Sequence, residues 1–144
     1  MESKYKHLEM IQATITRMAS NSFQLKGLLV TIIAALIALS VVKSNQYMYL
    51  LMALPTIAFW ILDAYYLRQE KLFRALYDDV RQISKDEDIN FSMNTSAFSK
   101  KVKSLTQCVF CSGSTIGFYL PFLLFSLALF FIASSCGHPE LLGG

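Results

Sequence analysis

This sequence predicts an all-α integral membrane protein, and three observations carry the prediction. Apolar residues make up 54% of the chain and charged ones only 16%, against about 25% charged in an average soluble domain. The mean hydropathy is +0.43. The apolar residues also fall in three blocks with almost no charge inside them, each near the length that a bilayer demands. The expected architecture is three transmembrane helices, a hairpin plus one, with amphipathic cytoplasmic helices. Too little polypeptide lies outside the blocks for an independent soluble enzyme domain, so the chain reads as a non-enzyme.

Residues 1–25 are expected to form an N-terminal amphipathic cytoplasmic helix. Leu8, Ile11, Ile15 and Met18 recur at helical spacing, while Lys4, Glu9, Gln12 and Thr16 fall elsewhere. The polar face is not strongly basic, which favours packing on another helix over lying on the membrane. Ser20-Asn21-Ser22 mark a bend before the first span, or stay helical. The segment is too long and too structured for the n-region of a signal peptide, and no small-residue cleavage site follows the first block.

Residues 26–67 read as a transmembrane hairpin. The first block, GLLVTIIAALIALSVV at 27–42, is flanked by Lys26 and Lys43. It rises roughly 24 Å, short of the ~30 Å hydrocarbon core. Snorkelling lysines and the preceding Phe23 and Leu25 extend it. Gly27, Ala34, Ala35, Ala38 and Ser40 make this span rich in small residues, which let membrane helices approach closely. Ser44-Asn45-Gln46 is a very short connection to the second block, residues 47–67, where Pro55 predicts a kink. Trp60, Tyr65 and Tyr66 sit where an interfacial aromatic belt belongs.

Residues 68–115 form the expected cytoplasmic helical segment. Leu72, Phe73, Leu76, Val80 and Ile83 continue the spacing of Leu62, Tyr65 and Tyr66 with no Gly or Pro to interrupt it. A single helix of roughly 35 residues, about 50 Å, is predicted to leave the membrane here. Its apolar stripe needs cover, from the N-terminal helix or another copy of the chain. Ser84 to Asp88 is a solvated turn, and Thr95 or Ser96 caps a further helix through SAFSKKVKSLTQCVF. Ser112-Gly113-Ser114 breaks before the third transmembrane helix, 116–135, which contains Pro121. Residues 136–144 are a short outer tail.

Lysine and arginine set the orientation. Lys4, Lys6, Arg17 and Lys26 precede the first block, and eight basic residues from Arg68 to Lys103 lie between the second and third. The positive-inside rule therefore places the N-terminus and 68–115 inside and the C-terminus outside, in a multi-pass membrane protein. Anionic headgroups account for a net charge of +3 without any nucleic acid.

Candidate site residues are few. Asp63 is an ionisable group near the membrane edge, five residues before Arg68, about 7.5 Å of helix. Three readings are open: a carboxylate bonded to Lys26 or a neighbouring tyrosine, a cation-attracting ring in an oligomeric pore, or a proton relay. Asp63, Lys26 and Arg68 are thus the candidate pore or membrane-interface polar groups. Cys108 and Cys111 form a lone C-x-x-C, a thiol pair with neither a thioredoxin-like context nor two further zinc ligands. No Gly-rich phosphate loop, H-E-x-x-H or nucleophile elbow is present, so no cofactor or metal is expected.

Taken together, HLEMIQATITRMASNSFQLKG, FWILDAYYLRQEKLFRALYDDV and NFSMNTSAF with the later FYLPF resemble a group of small, uncharacterised bacterial multi-span membrane proteins. The architecture is similar, more loosely, to SLATT-type and related membrane effectors of bacterial defence systems. That resemblance implies a homo-oligomeric inner-membrane effector of channel or pore type acting in anti-phage defence. This chain departs from the SLATT pattern by adding a third span. The alternative is a membrane-anchored adaptor or sensor that binds a soluble cytoplasmic partner protein.

Overall fold

The computed structural model describes residues 2–43 and 47–136, apart from the side chains of Val42, Lys43, Cys111 and Cys136. The predicted connection at 44–46 and the tail beyond Cys136 lie outside the described residues. Every regular element described is helical: α1 (Glu2–Lys43), α2 (Tyr47–Leu51), α3 (Ala53–Gln82), α4 (Leu105–Cys111) and α5 (Gly113–Cys136), with 3-10 turns at Asp86–Asp88 and Ser96–Phe98. Three stretches are long and apolar enough to cross a membrane: Glu2–Val41, Tyr47–Gln82 and Gly113–Ser135.

The N-terminal helix and the first span are one element. α1 runs unbroken for 42 residues, about 63 Å, and passes straight through Ser20-Asn21-Ser22. Serine weakens a helix mainly by bonding its own backbone. Here those hydroxyls are engaged elsewhere: Ser22 Oγ donates to Asp63, and Ser20 Oγ accepts from Gln24 Nε2 at 3.4 Å. No Gly or Pro occurs in α1 before Gly27. The expected bend is therefore absent.

The long helix of the second span is present with one interruption. Pro55 lacks the N–H that would close the turn before it, and Met52 separates α2 from α3 while its own backbone stays in the right-handed helical region. Neighbours satisfy the backbone there. Thr56 Oγ1 donates to Met52 O at 2.8 Å, and Ser126 Oγ, from α5, donates to Tyr49 O at 2.6 Å. Pro121 sits inside α5 without ending it.

Two buried cores stack along the α1–α3 hairpin. At the polar end Ile11 and Ile15 of α1 pack with Leu72, Leu76 and Val80 of α3 and with Phe98. The stripe that continues past Arg68 is thus covered by α1 of the same chain. At the apolar end Leu29, Ile33, Met52 and Tyr119 form the second core, with Trp60, Phe118 and Phe122 against it.

A reciprocal clasp closes the polar end. The Asp86 carboxylate accepts from the backbone N–H groups of Ser3 and Lys4 (3.2 and 3.0 Å), donors that the first turn of any helix leaves unpaired. Lys4 Nζ in turn donates to Arg81 O and Ile83 O (2.8 and 2.7 Å) at the end of α3. Both charges oppose the end of the helix dipole that they meet. His7, wholly buried, donates through Nε2 to Ser92 O at 3.1 Å, with its ring 5.4 Å from that of Phe91.

The segment after the clasp departs from expectation. Asn90, Ser92 and Asn94 side chains each accept from the backbone N–H two residues on, and this chain of local turns holds 90–96 out of a helix. Thr95 makes no capping bond. The capped helix starts later, at Ser104, which exchanges bonds with Gln107 in a capping box. α4 is therefore seven residues long, and α5 follows after a single extended residue, Ser112.

Candidate functional site

The boundary between the two cores is polar. Ser22 and Lys26 lie one turn apart on α1, and they face Asp63 on α3. Lys26 Nζ donates to Asp63 Oδ2 at 2.7 Å and to Ser22 Oγ at 2.9 Å. Its third side approaches the Phe118 ring of α5, 5.9 Å from the centroid. The Ser22 hydroxyl donates to Asp63 Oδ1. Each carboxylate oxygen therefore has a donor, and the ammonium has two acceptors and an aromatic face. Asp63 is wholly buried, with 0% of its surface exposed, while the Lys26 side chain stays partly exposed.

Tyr119 closes the site from α5. Its ring stacks on Trp60 (centroids 6.2 Å apart, 7° between planes) and meets Phe118 edge-on. Its hydroxyl is buried and has no hydrogen-bond partner among the described residues. Trp60 Nε1 donates to Val109 O at 3.2 Å, and Thr115 Oγ1 donates to Cys108 O at 3.1 Å. These side chains satisfy carbonyls that the end of α4 leaves without an intrahelical partner.

Of the residues singled out from sequence, the structure brings Asp63 and Lys26 together. Arg68 stays apart: its Nε is buried without an acceptor, and no ion pair joins it to Asp63 among the described residues. Tyr65 and Tyr66 pack edge-on against each other, ring centroids 5.8 Å apart. Cys108 is buried, with Sγ 3.8 Å from Lys103 O, and the side chain of Cys111 lies outside those described. Ser22 and Tyr119 complete the site and were not singled out from sequence. Ser22 could have been found from its spacing, one helical turn before Lys26. Nothing local marks Tyr119, because its place depends on the register of α5 against α3.

With Lys26 turned inward, the opposite face of α1 is left open. Met10, Ala13, Arg17, Ser20, Gln24, Gly27, Thr31, Ala34 and Ala38 alternate in steps of three and four, and each is exposed. A side chain built on Gly27 would meet nothing within 4 Å. No protein-family model matches this chain, and no curated protein or solved structure does either.

Proposed function

We propose that this protein is an oligomeric membrane effector of the channel or pore type, assembled through α1. The observation that carries the reading is the order on the open face of α1. Ala13, Ser20, Gly27 and Ala34 recur every seven residues, interleaved with Arg17, Gln24, Thr31 and Ala38, and all are exposed. A seven-residue repeat keeps one seam facing a partner in a left-handed supercoil. Small residues on that seam let two backbones come close in lipid, where packing and polar contacts drive association. Contact with lipid alone requires no such order, nor its continuation through Arg17 and Ala13 into the polar end. A shallow groove of about 230 Å³ beside the seam, lined by Asn21, Gln24, Leu25, Leu28 and Tyr66, offers room for a neighbour's side chain.

The protomer's own geometry also favours assembly over a pore within one chain. Asp63 is sealed by Lys26 and Ser22, which leaves the Gln24–Thr31 side of α1 as the polar surface at membrane depth. Action at the bacterial inner membrane, in defence against phage, follows the resemblance of the hairpin to SLATT-type effectors.

The test is the mass of the full chain in nanodiscs by native mass spectrometry, with Gly27→Leu beside it, and conductance in planar bilayers. Leucine at this open position leaves the protomer's packing intact and blocks close approach. The expected result is one defined oligomer that conducts, shifted largely to monomer in Gly27→Leu. A monomeric wild type, or an oligomer indifferent to the substitution, overturns assembly through α1. A silent bilayer together with a stable complex with a soluble protein would establish the adaptor reading instead.

A further inference from the structure

Resting on the pore reading above, we infer that the assembly passes small inorganic anions and rejects cations. The chain has no Asp or Glu from residue 10 to 62 or from 89 to 139, which includes all of α5 and all of the spans but for Asp63. Whichever helix lines a path, Asp63 is the one carboxylate it could offer at membrane depth. That carboxylate is wholly buried, and both oxygens are held by Lys26 and Ser22 of the same protomer. A permeating cation therefore meets no free carboxylate at the depth of Asp63; the exposed Asp78 and Asp79 lie further along α3, in its polar half. The next carboxylate along α3, Glu70, lies seven residues on, about 10 Å of helix, and is paired with Arg74 at 2.7 Å.

The positive side of the inventory is different. Lys26 is consumed by Asp63, but Arg17 lies on the open face of α1, exposed and with no ion pair among the described residues. No acidic residue occurs within two turns on either side of it on α1. It stands nine residues before Lys26, about 13 Å along the helix, in line with Gln24 and Thr31 on the seam. Symmetry repeats Arg17 in every copy and makes a ring of guanidinium groups at the inner mouth. A ring of like charge in a low-dielectric vestibule concentrates counter-ions and excludes co-ions. Beyond the ring, Gln24 and Thr31 present neutral polar groups that carry no charge of either sign.

The experiment is a planar-bilayer recording of the full chain under a tenfold potassium chloride gradient, with Arg17→Gln and Arg17→Glu run in parallel. Native mass spectrometry checks that both variants still assemble. The wild-type current is expected to reverse near the chloride equilibrium potential, with anions favoured on the order of tenfold. Arg17→Gln should lose most of that preference, and Arg17→Glu should move the reversal towards potassium. A wild-type channel that reverses towards potassium, or one whose selectivity ignores both substitutions, overturns the anion inference and leaves the pore reading standing. No conductance from a reconstituted oligomer overturns the pore reading itself, and this inference with it.

Discussion

Lys26 and Asp63 come from different helices, and each is costly to bury alone. A buried charge whose partner has been removed costs a protein about 3–5 kcal/mol, whereas an apolar pair of similar volume is often neutral. Asp63→Leu alone should therefore lower the unfolding temperature of the solubilised protein sharply. Lys26→Met combined with Asp63→Leu should recover most of the loss. Equal instability of single and double variants, by scanning calorimetry in detergent, would show that the two charges are not coupled. This pair was legible in the sequence, because both residues fall at the same edge of consecutive spans of a short hairpin. The rest of the site was less so. The hydroxyl of Ser22 reads as a helix breaker until Asp63 is there to engage it, and Tyr119 is placed by a third helix whose register no local pattern encodes.

Among the elements, α1 and α3 hold each other's free ends. Asp86 caps the first turn of α1 from outside that helix, and Lys4 takes up carbonyls at the end of α3. Removing a capping side chain costs about 1 kcal/mol. Asp86→Ala should then speed amide hydrogen exchange at Ser3 and Lys4 severalfold while leaving Ile11 and Ile15 protected. Uniform acceleration along the polar half of α1 would mean that the clasp supports the whole hairpin. The start of α4 was written in the sequence as Ser104-Leu105-Thr106-Gln107, a capping-box pattern. The helical spacing of Phe98, Val102 and Leu105 obscured it by suggesting an earlier start. Phe98 and Val102 do pack on the polar-end core, but from a turn, with Phe98 buried. Spacing shows which side chains are buried and leaves open whether a helix carries them.

At the scale of the whole molecule, the three apolar stretches and the helical continuation past Arg68 could be read from hydropathy and periodicity, since both depend on residues a few positions apart. The mutual cover of α1 and α3 could be read only as one of two choices, because any apolar face of matching length would serve. What the sequence concealed was that α1 has no joint. Its 42 residues form a torsionally stiff shaft, and a twist applied at one end must appear at the other. One alanine inserted after Ser20 should turn the upper half by about 100° relative to the lower, parting Lys26 from Asp63 and splitting the seam. Loss of thermal stability, and of the proposed oligomer, is the expected readout, and retention of both would show that the shaft yields. If the shaft holds, whatever grips the first three turns of this protein also holds the azimuth of Gly27, Thr31 and Ala34. In the proposed assembly the angle between protomers would then be set from the polar end of α1, by rotation and without any change of length.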